Sequence, residues 1–117
     1  MSALLSVHHH PAGFLEGRAQ PGSGRHGEII ASFLQSDIQG DLETAQMLLA
    51  EIAAAERGEE PQPGGAGNAF SIAIAPGGAA IRNAVIEGAV AEHYSLAELR
   101  GALETWIAAI ERARDSP

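Results

Sequence analysis

The 117-residue chain has no cysteine and no lysine, and its aromatic side chains are limited to three phenylalanines, one tyrosine and one tryptophan. The lack of cysteine excludes disulfides, thiolate zinc sites and a cysteine nucleophile within this sequence. The lack of lysine excludes a Walker-type phosphate loop, Schiff-base chemistry and the attachment of pyridoxal phosphate. These absences remove several common classes of enzyme and nucleotide-binding protein.

Long apolar runs are missing as well, since no run of apolar residues is long enough to cross a bilayer as a helix. The apolar start Ala3-Leu4-Leu5 is too short for a signal peptide and follows no basic residues. We therefore expect a soluble cytoplasmic protein. The abundance of alanine and glycine, with arginine in place of lysine, is typical of a G+C-rich bacterial gene.

Negative charge is what the chain has in excess. Fifteen acidic residues against seven arginines give a formal charge of −8. An acidic surface does not favour nucleic acid or anionic membranes. It suits a basic protein partner, and it also serves solubility.

The length of the chain predicts one domain. Its beginning carries Pro11, Pro21, several glycines and no sustained hydrophobic period. We therefore expect a flexible N-terminal segment over residues 1–27, a single α+β domain over residues 28–114 and a short tail over residues 115–117.

The N-terminal segment contains the run His8-His9-His10, which His26 could join to bind a metal. A specific zinc site needs ligands held on a folded scaffold with a second shell, and this segment offers neither cysteine nor a helical spacing of histidines. We interpret these histidines as solvated. The sequence predicts no metal site and no cofactor.

Two short runs in the second half of the chain have the character of β-strands, the first with a clear alternation of large apolar residues. They cover residues 68–75 and 79–86 and are joined by Pro76-Gly77-Gly78, whose glycines can adopt the positive φ of a tight turn. The pattern predicts an antiparallel β-hairpin. A hairpin alone is marginally stable in water, so a helix should cover its apolar face.

A helix is predicted after the hairpin by Ser95 and Glu98, which have the spacing of a capping box. Tyr94 before the cap and Leu99 after it have the spacing of a hydrophobic staple. Apolar residues then recur every three or four positions and include Trp106, which we interpret as a core or edge anchor rather than a ligand-stacking ring.

Two helical segments are predicted in the first half of the chain. The first follows an apolar stripe over residues 29–38, and the second covers residues 42–56. Gly40 between them weakens a helix, while Asp41 is a suitable N-cap and Gly58 a suitable C-terminal cap. The segments form either one kinked helix or two helices that meet at a bend.

Together these patterns predict an α+β fold with one or two N-terminal helices, a central antiparallel β-hairpin and a C-terminal helix packed on one face of the small sheet. Apolar residues from every element should form one core. The predicted core residues are Ile30, Phe33, Leu34, Leu42, Leu49, Ile52, Phe70, Ile72, Ile74, Ile81, Val85, Leu99, Leu103, Trp106 and Ile110.

A family resemblance rests on Gly67-Asn68-Ala69-Phe70 with the strand that follows, the turn Pro76-Gly77-Gly78, a second strand ending near Asn83, and Tyr94-Ser95-Leu96 before a helix with Trp106. This series resembles small uncharacterised bacterial proteins that we associate with the immunity proteins of polymorphic toxin and contact-dependent inhibition systems. The likeness covers residues 28–112. It implies a protein that neutralises a toxin domain by binding it, and it carries over no functional residue.

We therefore expect a non-enzymatic protein-binding module, with a basic toxin domain as the candidate partner. Acidic side chains would speed association and set specificity, while aromatic anchors would supply affinity. The residues expected to contact the partner are Glu59, Glu60, Glu87, Glu92, Tyr94 and Trp106.

Two other classes of function are compatible with the sequence. A structural or assembly module could form a homodimer through the edge of the small sheet or through helix faces. An enzyme would need acid–base groups, and Asp37, Asp41 and His93 are available. Their spacing assembles no catalytic triad, no metal-binding pair and no paired carboxylates, so we expect no catalysis.

Overall fold

The computed structural model describes residues 4–59, 65–66 and 69–115. The elements in chain order are β1 (Leu5–His9), β2 (Leu15–Ala19), α1 (Gly24–Phe33) continuing as a π-helical turn (Leu34–Ile38), α2 (Leu42–Glu56), β3 (Gly65–Ala66), β4 (Phe70–Ala75), β5 (Gly78–Asn83), β6 (Glu92–Tyr94) and α3 (Leu96–Asp115). The predicted α+β class is confirmed. No helix in this described part is long and apolar enough to cross a membrane.

The strands form two antiparallel sheets rather than the single hairpin that the sequence predicts. The larger sheet has the order β3-β4-β5-β6, and the smaller one pairs β1 with β2. The predicted hairpin is β4–β5, with Phe70 opposite Asn83 and Ile74 opposite Ala79. β6 extends this sheet by placing Tyr94 opposite Ala79. The short strands β3 and β6 escape prediction because two or three residues show no measurable alternation.

The N-terminal segment corrects the expectation of a flexible region over residues 1–27. β1 and β2 form a hairpin with Leu5 opposite Ala19, and Leu5 is fully buried. Gly17 lies so close to the helices that a Cβ at this position would come within 2.9 Å of the Ala31 carbonyl oxygen. The hairpin therefore belongs to the packed core. Its strand period was obscured by the histidine run and by the prolines around it.

The two N-terminal helices meet at a bend, which decides between the alternatives left by the sequence. α1 starts at Gly24 and its last turn widens into the π-helical turn that ends before Gln39. Gln39 has a φ of +54°, which non-glycine residues rarely adopt. The bend therefore lies at Gln39, one residue before Gly40, the glycine that was predicted to interrupt the helix.

The caps of α2 follow the sequence prediction. Asp41 accepts a hydrogen bond from the Thr44 amide (3.1 Å) and another from the Thr44 hydroxyl (2.7 Å). At the other end Gly58 has a φ of +79°, and the amides of Gly58 and Glu59 donate to Ala55 and Ala54. This pair of hydrogen bonds is the Schellman motif.

One core fills the space between the helices and the two sheets. Most of the predicted core residues are buried, with Leu42, Leu49 and Ile72 half-buried. Val85 is the exception at 72% exposure, because β5 ends at Asn83 instead of continuing to residue 86. The large residues that the prediction omitted and that the core contains are Leu5, Ile38, Tyr94 and Ile107.

Candidate functional site

The loop between β5 and β6 exposes apolar side chains to solvent. Val85, Ile86 and Val90 are 72%, 58% and 72% exposed within a stretch of six residues. In the described part of the chain, the other exposed large hydrophobic residues are Phe14, in the β1–β2 turn, and Met47, on α2. Single exposed apolar residues are ordinary, whereas several of them in one short loop make that loop a candidate surface for interaction.

The first half of this loop is shaped by its own hydrogen bonds. The Asn83 side-chain oxygen accepts from the amides of Val85 (2.9 Å) and Ile86 (3.2 Å), which turns the chain out of β5. The Ala84 amide donates to the Ala69 carbonyl at 2.8 Å. A loop ordered in this way loses less conformational entropy when it binds.

The second half of the loop is fastened by Arg25 from the first turn of α1. Its guanidinium donates to the Val90 carbonyl at 2.6 Å and to a carboxylate oxygen of Glu92 at 3.2 Å. Arg25 therefore links the end of the loop and the start of β6 to a helix that is more than sixty residues away in sequence.

The residue after Arg25 is the centre of a polar cluster. His26 Nδ1 lies 2.8 Å from Glu92 Oε2, and His26 Nε2 lies 3.1 Å from Glu98 Oε2. The imidazole stacks on the Tyr94 ring with 4.1 Å between centroids. The Tyr94 hydroxyl donates to the His26 carbonyl at 2.6 Å. We call Arg25, His26, Glu92, Tyr94 and Glu98 the His26 cluster.

Glu98 reaches this cluster because of the capping box at the start of α3. The Glu98 amide donates to the Ser95 hydroxyl at 3.0 Å, and the Ser95 amide donates to Glu98 Oε1 at 2.9 Å. The predicted capping box is confirmed. The second oxygen of the same carboxylate is left to accept from His26.

The surroundings move the pKa values of the cluster in opposite directions. Burial is the largest single influence on His26 and lowers its pKa, but hydrogen bonds and charges from Glu92 and Glu98 outweigh it, so the pKa is raised. The hydrogen bond from His26 is the main cause that lowers the pKa of Glu92. The Ser95 amide is the main cause that lowers the pKa of Glu98.

Burial also raises the pKa of Tyr94, so its phenol stays neutral. Both glutamates are ionised at neutral pH, and protonated His26 is stabilised between them. Within the cluster, His26, Glu92 and Glu98 therefore form a partly buried ion triad when His26 is protonated, and this triad joins α1, β6 and α3.

Four of the six predicted contact residues lie in three environments. Glu87 is exposed in the β5–β6 loop. Glu92 belongs to the His26 cluster, as does Tyr94, which is only 3% exposed. Trp106 is fully buried, and its indole N–H donates to the Gln39 carbonyl at 2.7 Å. The two rings support the core and present almost no surface to a partner.

Glu59, another predicted contact, lies three residues after the end of α2. Glu59 is exposed and forms an ion pair with Arg57 at 2.5 Å. Glu60 lies outside the described residues. Among the described residues, no hydrogen bond or ion pair joins Glu59 or Glu87 to the His26 cluster.

Two of the acid–base candidates named from the sequence, Asp37 and Asp41, make structural hydrogen bonds. Asp37 accepts hydrogen bonds from the amides of Ala69 and Phe70, both at 3.0 Å, and so ties the π-helical turn to the start of β4. Asp41 caps α2, and His93 is exposed on β6. Across residues 4–59 and the later described ranges, no group of three or more potential ligands is arranged to hold a metal.

A groove of about 470 Å³ runs between the β1–β2 turn, the π-helical turn and the end of α3. Its walls include Phe14, Leu15, Ile110 and Arg114. It opens widely to solvent, and no buried side-chain polar atom of the described residues lacks a hydrogen-bond partner. The groove therefore offers little that would select a particular ligand.

Sequence reasoning missed the His26 cluster as a unit. His26 is 66 and 72 residues away from the two glutamates that hold it, and no spacing rule connects such positions. The capping box was the one available signal, since it fixes the direction of Glu98.

No protein-family model, curated protein or solved structure matches this chain.

Proposed function

We propose that this chain is a non-catalytic protein-binding module that holds its partner through the β5–β6 loop. The observation that carries the proposal is the exposure of Val85, Ile86 and Val90 on a loop that is hydrogen-bonded at both ends. Full burial of one such side chain contributes roughly 1.5–3 kcal/mol. Three of them can form the apolar centre of an interface, where most binding energy resides.

The charge of the chain supports a basic partner. The formal charge is −8, and Glu87 is exposed in the same loop as the apolar side chains. An apolar socket surrounded by basic residues is the complement of this surface. The resemblance to immunity proteins makes a basic toxin domain the first partner to test, with neutralisation by occlusion as the mode of action.

The test compares proteins captured by the immobilised chain with those captured by a Val85→Ser/Ile86→Ser/Val90→Ser variant. Met47→Ser is the matched control, because Met47 is 59% exposed on α2 and lies outside the loop. We expect the wild type and the control to capture the same basic protein, and the triple variant to lose it.

Two results would contradict this function. One is a partner retained equally by the triple variant. The other is the absence of any partner at low salt, in lysate from the source cells.

A second candidate function is self-assembly through the outer face of the larger sheet. Ala73 is exposed there, and Ala75 and Ala80 are half-buried around a shallow depression of about 290 Å³. Small side chains allow another sheet to approach closely. Light scattering at micromolar concentration tests it: a dimer that Ala73→Arg dissociates supports self-assembly, and a monomeric wild type contradicts it.

A further inference from the structure

Both hydrogen bonds of the His26 ring can form in only one protonation state. Its two nitrogens lie 2.8 Å and 3.1 Å from oxygens of two different carboxylates. An ionised carboxylate only accepts hydrogen bonds, whereas a neutral imidazole has one N–H donor and one acceptor nitrogen. Both contacts can be hydrogen bonds only when both nitrogens carry protons.

Loss of one proton would leave a nitrogen lone pair facing a carboxylate oxygen. This contact changes from a charge-assisted hydrogen bond to a repulsion. The attraction between the imidazolium and the face of the Tyr94 ring would disappear as well, since the two rings stack at 4.1 Å. Loss of one proton therefore breaks one carboxylate contact and weakens the other two contacts, because the remaining N–H bond and the ring stacking lose the positive charge.

The same contacts reach the binding loop through Glu92. One oxygen of Glu92 accepts from His26 and the other accepts from Arg25, whose guanidinium also holds the Val90 carbonyl. Glu92 begins β6, two residues after the exposed Val90. A displaced Glu92 side chain would loosen the fastening at this end of the loop.

We propose that the His26 cluster is a proton-controlled latch, which holds the β5–β6 loop in its binding conformation while His26 is doubly protonated and releases it when His26 becomes neutral. This proposal rests on the proposed function of the loop. The titratable and charged groups that face His26 are Glu92 and Tyr94 from β6, Glu98 from α3 and Arg25 from its own helix. The raised pKa of His26 means that the latch opens on the alkaline side of its ordinary titration.

The experiment is a pH titration of the whole chain, followed by NMR at the His26 ring and at the amides of residues 84–92. We expect the His26 midpoint to lie above the ordinary histidine value of about 6.5. The loop amides should change with the same midpoint, and their hydrogen exchange should accelerate above it.

Glu98→Gln is the informative variant, because glutamine also completes a capping box and so preserves the start of α3. The midpoints of His26 and of the loop amides should fall together in this variant. His93→Asn is the matched control, since His93 is exposed on the same strand as Glu92, and it should leave both midpoints unchanged. Loop amides that do not follow His26, or a His26 midpoint at or below the ordinary value, would overturn the latch.

Partner capture on either side of the His26 midpoint separates this proposal from the function on which it rests. A latch predicts several-fold weaker capture above the midpoint in the wild type, with the midpoint of this loss shifted in Glu98→Gln. If the triple serine variant of the loop leaves capture unchanged, the proposed function is wrong. The NMR titration then still tests the latch independently. If capture needs the loop but has no dependence on His26, only the latch fails.

Discussion

Two polar junctions connect α1 and its π-helical turn to the second half of the chain, and they differ in what holds them. At one junction, the buried Trp106 donates to Gln39 and Asp37 accepts from the backbone of β4. At the other, His26 lies between two glutamates and is about one-quarter exposed. The first junction uses an indole and backbone amides, groups that keep their protons at neutral pH. The second depends on a proton of His26, whose pKa the two glutamates raise above the ordinary histidine value.

The difference indicates a division of tasks within one small fold. The first junction, formed by the Trp106–Gln39 hydrogen bond and by the Asp37 carboxylate, fixes the bend between α1 and α2 and the position of β4. It should therefore contribute most to stability. The His26 cluster lies beside the exposed loop, so it should affect stability little and the loop strongly. Substitutions at the two junctions can separate these tasks.

The largest effect is expected for Trp106→Ala. Removal of a fully buried indole leaves a cavity and should lower the free energy of unfolding by about 3–5 kcal/mol. Trp106→Phe is the control, because it keeps an aromatic ring and removes the hydrogen bond to Gln39. Urea unfolding should rank wild type, Trp106→Phe and Trp106→Ala in falling order, and equal midpoints for wild type and Trp106→Ala would contradict the role of this junction.

A smaller loss is expected for Asp37→Ala. Two backbone amides of the β4 region lose their acceptor, which should cost about 1–3 kcal/mol in urea unfolding. Asp37→Asn retains one acceptor oxygen and should fall between the wild type and Asp37→Ala. An Asp37→Ala protein as stable as the wild type would show that water replaces the carboxylate without cost.

Ser95→Ala should have an intermediate effect because it removes the N-cap of α3. Loss of a serine cap typically costs about 1 kcal/mol. Ser95→Asp keeps a capping oxygen and should restore most of the stability. Thermal unfolding measures both, and an unchanged midpoint in Ser95→Ala would mean that the cap is not needed once α3 is packed.

The pH dependence of stability should be smaller still. The raised pKa of His26 gives a stabilisation that is complete below about pH 6.5 and disappears as the pH rises through the raised value. The lowered pKa values of Glu92 and Glu98 give stabilisation that is complete above about pH 4.3 and disappears as the pH falls through the lowered values.

The contribution of the His26 cluster should therefore be greatest between about pH 4.3 and 6.5. Its size should stay below about 1 kcal/mol because the three side chains are partly exposed. Urea unfolding of the wild type at slightly acidic and at alkaline pH, beside His26→Gln, measures this difference. A wild type and a His26→Gln protein with parallel pH profiles would contradict it.

The smallest change in stability is expected for Val85→Ser. Its side chain is exposed, so the free energy of unfolding should stay within about 0.5 kcal/mol of the wild type. Urea unfolding checks this value. A larger loss would indicate that the loop packs against the domain and is not available for a partner.

The sequence predicted the parts of the fold that local chemistry determines. Asp41 and Gly58 at the ends of α2 and the Ser95–Glu98 capping box have the predicted roles, because a cap depends on residues only a few positions apart. The β4–β5 hairpin was predicted from the alternation in β4 and from the turn that follows it. The prediction that Val85 is buried was wrong because it assumed a strand that continues to residue 86. The strand ends at Asn83, whose side chain accepts a hydrogen bond from the Val85 amide and turns the chain away.

Contacts between residues far apart in the sequence could not be predicted from local patterns. The β1–β2 hairpin is stabilised by packing on α1 and α3, which a pattern of prolines, glycines and histidines does not reveal. His26 and Asp37 have hydrogen-bond partners that lie 66 and 32 residues away in the sequence. Glu87 and Glu92, which the sequence analysis names as partner contacts, lie in the β5–β6 loop and at the start of β6. That a histidine and an arginine of α1 fasten this loop could not be predicted.

The most direct test of the binding account is hydrogen–deuterium exchange of the full chain, alone and with the partner that it captures. If the β5–β6 loop is the binding surface, exchange over residues 84–92 should slow on binding, with little change around Met47 on α2. Protection centred on α2 or on the outer face of the β4–β5 hairpin, with the loop unchanged, would contradict it.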